Sequence, residues 1–383
     1  MNVLHVIRGL TNSSGTTHIV IPLAEEQARQ GARVSVLFVD KPPHESLIPT
    51  PDLVDSQAFP QSLPRLLPLS HPGVSWPFAR ALKRRIHDFD VVHIHAVWNF
   101  PTWWTMRVAS RANVPYMVAP QGSLEPWAYN HGSRRRRMYA RYMERPLLAR
   151  ATRLQALTET EAEQFRAFGL AVPTAIIPNG ISPDWLEGER GNLAAHLDLP
   201  PKTRTLLFLS RMHEKKGLDI LLRAFAEVSR GFPNLMLVVA GSDAGSGHGD
   251  RMRVLANALG LEDRCLFIGE VGGDKKRKVL LGADAFALTS HSEGLPVAVL
   301  EAMASGLPVL ITPGCNLPEV ASSNAGLIVK PSVAAVATGL QTMFGEPHMH
   351  ERGENGRTLV RERFTWPRIA RDTLAVYEDM VSR

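Results

Sequence analysis

Apolar positions along the chain fall in short runs separated by amphipathic stretches, so the hydrophobic period switches repeatedly between strand-like and helix-like. Residues 3–7 form a first apolar run, and the polar segment Asn12-Ser13-Ser14-Gly15-Thr16 follows it. Residues 19–30 then carry apolar side chains at helical spacing, Gly31 supplies a stop, and residues 34–39 are a β-branched run. Strand, helix and strand in this order make a βαβ unit, the building block of parallel sheets. Further runs at 91–94, 116–119 and 154–157 continue the series. Residues 41–75, rich in Pro and Ser, read as an irregular excursion.

The rhythm restarts near residue 178, where Ile176-Ile177-Pro178-Asn179-Gly180 carries strong turn signals. New runs follow at 206–210, 235–240, 265–268, 285–289 and 309–312, with helical segments such as 217–229 between them. The pattern predicts an α/β chain of two Rossmann-like domains, residues 1–178 and 179–365, facing a central cleft. A last helix at 367–381, within a segment 366–383, has the spacing to pack across either half and can cross back to the first. Ligands of such sheets bind beyond the carboxyl ends of the strands.

Bulk properties narrow the class. A chain of 383 residues exceeds one ordinary core, and 44% hydrophobic with 21% charged residues is a globular rather than a disordered composition. No run approaches the ~18 uninterrupted apolar residues of a spanning helix, and the first strand follows Met1 without a charged-then-apolar leader. Two cysteines, Cys265 and Cys315, make no disulfide framework and have no metal-ligand spacing. A cytoplasmic location is therefore expected, and the Asn12-Ser13-Ser14 acceptor pattern is taken as chance. The net charge of +6 favours an acidic partner. It is concentrated at Arg134, Arg135, Arg136 and Arg137, a run that in most proteins is a solvated face.

The densest chemistry lies after the run ending at Thr289. Ser290-His291-Ser292-Glu293-Gly294-Leu295-Pro296 leads into a helix at 297–305, with Pro296 suited to its first turn and Gly306 closing it. Glu293 then sits in the strand-to-helix loop, while Glu301 lies within the helix, roughly 7 to 8 Å beyond Pro296. The free N–H groups of Gly294, Leu295 and the first turn suit an anion, and a carboxylate beside them suits a diol. Spacing alone does not separate this from two solvated glutamates. A second cluster, Ser210-Arg211-Met212-His213-Glu214-Lys215-Lys216-Gly217, places Arg211 just past a strand and Lys216 before a helix. Two such cations suit a pyrophosphate, although loop charge is the plainer reading.

Taken together, Ser210-Arg211 with Lys216-Gly217, the stretch 283–290, and Glu293-Gly294-Leu295-Pro296 with Glu301 and the following 302–309 resemble family 4 retaining glycosyltransferases. That family has the GT-B fold, and its E-x7-E motif matches Glu293 and Glu301. The resemblance runs to Phe364-Thr365-Trp366 before the terminal helix. It implies that Glu293 holds the donor sugar's hydroxyls and Glu301 the ribose diol. It implies that Arg211 and Lys216 neutralise the diphosphate, with backbone at Gly294 and Leu295 on the same group. It also implies no catalytic metal and no cofactor, the donor being a UDP- or GDP-sugar. Catalysis would be electrostatic stabilisation of the leaving group beside a held acceptor.

The first half departs from the family pattern. A Gly-Gly pair after the first strand is usual, and here only Gly15 carries over. Pro120-Gln121-Gly122-Ser123-Leu124-Glu125-Pro126-Trp127 resembles a Pro-Arg-Gly-Met-Leu-Glu-Pro-Trp motif of bacterial polysaccharide-assembly transferases, with Gln121 in place of the Arg. Gln121, Glu125 and Trp127 are the candidate acceptor contacts. His93 and His95 alternate near a strand end, and His95, nearer the carboxyl end, is expected to be the one that reaches the cleft. Met138, Tyr139, Tyr142 and Met143 fall at helical spacing after the arginine run, which suits a basic amphipathic helix on anionic lipid. The function expected is transfer of a hexose to a lipid-linked or saccharide acceptor in exopolysaccharide or lipopolysaccharide assembly, by a peripheral enzyme of the cytoplasmic membrane face. The rivals are a nucleotide-sugar epimerase or a phosphorylase on the same fold, and a nucleic-acid-binding protein. The last lacks a recognised binding motif, and no nucleic acid is expected as partner.

Overall fold

The computed structural model describes residues 1–11, 15–40, 49–62, 73–124, 138 and 140–382. The chain divides into two compact units, Met1–Gly180 with Trp366–Arg383, and Ile181–Thr365. The first crossing falls at Gly180 rather than at 178, and the terminal helix belongs to the first unit.

Seven strands build the sheet of the first unit: β1 (Asn2–Ile7), β2 (Arg33–Asp40), β3 (Asp55–Pro60), β4 (Val91–His95), β5 (Tyr116–Ala119), β6 (Arg153–Ala156) and β7 (Thr174–Ile176). Their order is β3-β2-β1-β4-β5-β6-β7, and every pairing is parallel. Because side chains alternate along a strand, β1 sends Leu4 and Val6 to one face and Val3 and Ile7 to the other. The first face packs on Phe78, Leu82 and Met106, from helices Trp76–Arg85 and Phe100–Ala112. The second packs on Val20, Leu23 and Ala24 of helix Thr17–Arg29, and on Trp366, Ile369 and Tyr377 of the terminal helix Trp366–Val381. With both faces covered, the central strands are largely apolar, as buried parallel sheets favour, with His5 of β1 and His93 and His95 of β4 as exceptions.

The second unit repeats the plan with β8 (Arg204–Leu209), β9 (Leu235–Ala240), β10 (Cys265–Gly269), β11 (Ala285–Leu288), β12 (Val309–Ile311) and β13 (Gly326–Ile328). Their order is β10-β9-β8-β11-β12-β13, again all parallel. Three strands escape the hydrophobic pattern, β3, β7 and β13, and each is a sheet edge. An edge strand has one partner and one open side, so it needs no continuous apolar run. In β3, read from sequence as irregular, only Phe59 is buried.

Candidate functional site

In each sheet the chain winds outward from one strand in both directions, which leaves a crevice at a topological switch point. In the second unit it lies between β8 and β11. The segment after β8 carries Arg211 and a short 3-10 turn, Glu214–Lys216, closed by Gly217 at φ 66°. A Cβ on Gly217 would stand 2.1 Å from the carbonyl oxygen of Thr289, which ends the β11 segment. Glycine is thus what allows the two loops to touch. Thr289 Oγ1 donates to the carbonyl of Gly217 at 2.7 Å, and His291 N donates to that of Lys215 at 2.8 Å.

This backbone contact delivers Lys216 to Glu293. Lys216 Nζ donates to both carboxylate oxygens, at 2.6 and 2.8 Å, and Ser290 Oγ donates to Glu293 Oε1 at 2.6 Å. Glu293 N donates to Gly314 O at 2.7 Å, and Asn316 Nδ2 to Glu293 O at 2.5 Å, so the loop is held from the β12 side as well. Gly294 is partly exposed and Leu295 is buried. They precede helix Val297–Ala304, whose first N–H groups lie ahead of any intrahelical acceptor, Val299 N alone turning back to Pro296 O at 3.0 Å. The helix ends in a Schellman turn: Gly306, at φ 76°, donates to Met303 O and Leu307 to Ala302 O.

Glu301 is nearly sealed, at 6% exposure. Burial pushes its pKa up, and Lys276 beside it pulls the other way. Lys276 Nζ donates to Oε1 at 2.6 Å, and comes from helix Gly273–Gly282. Sequence reading missed Lys276, which sits unmarked in the charged run Asp274-Lys275-Lys276-Arg277-Lys278; the only available signal was that a buried carboxylate demands a cation. Arg211, by contrast, is exposed and makes no ion pair among the described residues. The structure therefore brings Lys216 to Glu293 and Lys276 to Glu301, and leaves Arg211 apart.

In the first unit the switch point lies between β1 and β4. A pocket of about 290 Å³ opens there, lined among others by Arg8, Thr11, Thr16, Trp98 and Asn99. Two of the β4-end residues, Ala96 and Trp98, hold positive φ of 63° and 68°, a conformation that non-glycine residues adopt at a cost. Gly15 is exposed beside Thr16, with open space where a Cβ would stand. Gln121 takes φ 51° and is half-buried; the next residue, Gly122, donates its N–H to Glu161 Oε1 at 2.6 Å. Glu125, Trp127 and Arg134 to Arg137 lie outside the described residues. Arg8, at the end of β1, was not singled out from the sequence.

His93 and His95 do not take opposite faces of the sheet, contrary to the expectation that one of them alone would be turned inward. Residues two apart on a strand share a face, so both rings point to the side of the sheet that bears helices Thr17–Arg29 and Trp366–Val381. Both are buried, at 0% and 1% exposure. His95 Nε2 lies 2.8 Å from His5 Nδ1, and burial holds its pKa well below the ordinary histidine range.

Sequence profiles match each half. The profile described as glycosyl transferase 4-like domain covers residues 14–180, and that of glycosyl transferases group 1 covers residues 189–359. The D-inositol 3-phosphate glycosyltransferase of Actinosynnema mirum is 29% identical over 96% of this chain and 93% of its own length. Among solved structures, Anabaena HepE in complex with UDP superposes with TM-score 0.77 at 17% identity, over 99% of this chain and 100% of its own. WaaG, a glycosyltransferase involved in lipopolysaccharide biosynthesis, gives 0.69 at 20% identity, over 95% and 97%. With both halves matched, the E-x7-E glutamates on a strand-loop-helix and two parallel Rossmann-like sheets, the chain belongs to the family 4 glycosyltransferases of GT-B fold.

Proposed function

We propose that the protein transfers a hexose, with retention of configuration and without a catalytic metal, from a UDP- or GDP-sugar to a saccharide or lipid-linked acceptor. The observation that carries this is the Lys216–Glu293–Ser290 cluster at the approach to helix Val297–Ala304. A cation, a carboxylate and free helix N–H groups there match a sugar diphosphate. In this reading Glu293 accepts hydrogen bonds from sugar hydroxyls, and Glu301, held by Lys276, accepts from the ribose diol. Lys216, with Arg211 swinging in from solvent, neutralises the diphosphate as the glycosidic bond breaks, and Gly294 and Leu295 offer N–H donors. Stabilising that developing charge is the main catalytic term. In the first unit, Gly15, the pocket beside Arg8, and Gln121 with Glu125 and Trp127 are the proposed contacts of the remaining substrate atoms.

The UDP bound by HepE supports a nucleotide donor, and the role of WaaG, together with the Pro120-to-Trp127 motif, supports polysaccharide assembly. No helix among the described residues is long and apolar enough to cross a membrane. Met138 and Tyr142, 62% and 66% exposed beside the arginine run, favour a peripheral contact with anionic lipid; flotation with anionic vesicles at low salt tests it. For the main proposal, a thermal-shift screen of UDP-, GDP- and ADP-sugars identifies the donor, since ligand at 100 times its Kd stabilises by about 2.7 kcal/mol. Glu293→Ala should abolish turnover in a folded chain. Activity retained within a few-fold would overturn the assignment of the sugar site.

A further inference from the structure

On the helix-covered face of the first sheet, His5 of β1 meets His93 and His95 of β4. All three are buried, and one ligand nitrogen from each ring lies within 4.8 Å of the other two. The rings are close, with centroids 4.0 Å apart for His93 and His95 and 5.1 Å for His5 and His95. Around them stand Gln27, Tyr377 and Gln155, and among the described residues no carboxylate is hydrogen-bonded to any of the three.

The outer contacts can be ordered. Gln27 Nε2 donates to Tyr377 Oη at 3.3 Å, which turns Gln27 Oε1 to receive His5 Nε2–H at 2.7 Å. His5 Nδ1 is then a bare lone pair facing His95 Nε2. Tyr377 Oη meets His93 Nδ1 at 2.7 Å. By strict hydrogen-bond geometry His93 Nε2, His95 Nδ1 and Gln155 Oε1 have no partner, although Gln155 stands close enough to His93 to raise its pKa as a hydrogen-bonding neighbour. A purely hydrogen-bonded core would carry the desolvation penalty of each.

We propose that His5, His93 and His95 hold a structural divalent transition-metal ion, of the zinc class. Ligating His5 through Nδ1 and His93 through Nε2 keeps Gln27 and Tyr377 on the opposite ring nitrogens, the outer-shell arrangement that orients metal-bound imidazoles. It also gives His93 Nε2 a stronger partner than the poorly aligned Gln155, whose Oε1 is then an available fourth ligand. A tetrahedral ion with bonds of ~2.1 Å holds its nitrogens roughly 3.4 Å apart, so ring shifts of about 1 Å suffice. All-imidazole sets suit zinc, copper, nickel or cobalt rather than magnesium or calcium. Burial and mutual repulsion keep the rings unprotonated, the form that binds metal. The ion would tie β1 and β4 to the terminal helix through Tyr377. The site belongs to the core of the first unit, and its role is structural.

The test uses the full chain stripped with chelator and titrated with Co2+. Expected are the visible absorption of tetrahedral Co2+ saturating at one ion per chain, its loss on adding one equivalent of Zn2+, and a rise in Tm with either metal. His93→Gln should weaken binding at least 100-fold, while His348→Ala with His350→Ala, on an exposed segment, should leave it unchanged. Wild-type chain that takes up no stoichiometric Co2+ and shows no Tm response overturns the proposal. So does absorption that survives His93→Gln and disappears with the surface pair. Should His93→Gln fail to fold, the wild-type titration and the surface pair decide.

Discussion

Replacing Lys216 by Met removes the only cation on Glu293 among the described residues while nearly preserving side-chain length. In the folded chain the two side chains are 15% and 11% exposed, so the pair behaves more like a buried ion pair than a surface one. Surface pairs contribute about 0–1 kcal/mol, whereas stranding one partner of a buried pair costs about 3–5 kcal/mol. Glu293 keeps the Ser290 hydroxyl at 2.6 Å and some contact with solvent, which places Lys216→Met at about 2–3 kcal/mol. For a unit of this size each kcal/mol moves Tm by about 2–4 °C, so a fall of roughly 4–12 °C is expected. Glu293→Gln combined with Lys216→Met should recover part of the loss, because no unpaired charge stays behind. The assay is a double-mutant cycle on urea midpoints without substrate, with m-values compared to confirm a common transition. A coupling energy within about 0.5 kcal/mol of zero is what independent sites give; it would refute the claim that these two residues form one electrostatic unit.

Lys276→Met should raise the already elevated pKa of Glu301 further. A carboxyl group with a raised folded pKa stabilises in its protonated form, so stability is retained at acid pH and lost as pH rises above the unfolded carboxylate value. Urea midpoints measured across this range should fall toward neutrality in Lys276→Met, and the slope should vanish when Glu301→Gln is added. Gly217→Ala meets both a φ of 66° and a carbonyl oxygen at 2.1 Å, and should cost several kcal/mol or prevent folding. Gly31→Ala, at φ 95° with nothing within 4 Å, should cost only about 1–2 kcal/mol of backbone strain. Equal losses of Tm would count against the close-approach argument. Tyr377→Phe strands His93 Nδ1 and Gln27 Nε2 in the core, an expected loss of about 1–3 kcal/mol by chemical denaturation; a neutral outcome would show that the hydroxyl is not part of the network.

The sequence by itself determined whatever depends on neighbouring residues. Ten strands stood out because central strands of parallel sheets are apolar on both faces, and the loop and helix around Glu293 and Glu301 followed from Pro296 and Gly306. Edge strands β3, β7 and β13 stayed hidden because few of their residues are buried, and β7 and β13 are also short. Tertiary structure alone decided which distant groups meet. Lys216 reaches Glu293 only because β8 and β11 are sheet neighbours and Gly217 admits the Thr289 carbonyl. Lys276 reaches Glu301 across two helices, with nothing in its charged run to distinguish it from Lys275 or Lys278. His5, 88 residues before His93 in the chain, pairs with it in register because β1 lies beside β4. Hydrophobic periodicity says which face a residue takes and how long its element runs. It is silent on strand order, because order is set by how the whole sheet buries its two faces, and the chemistry of both sites depends on that order.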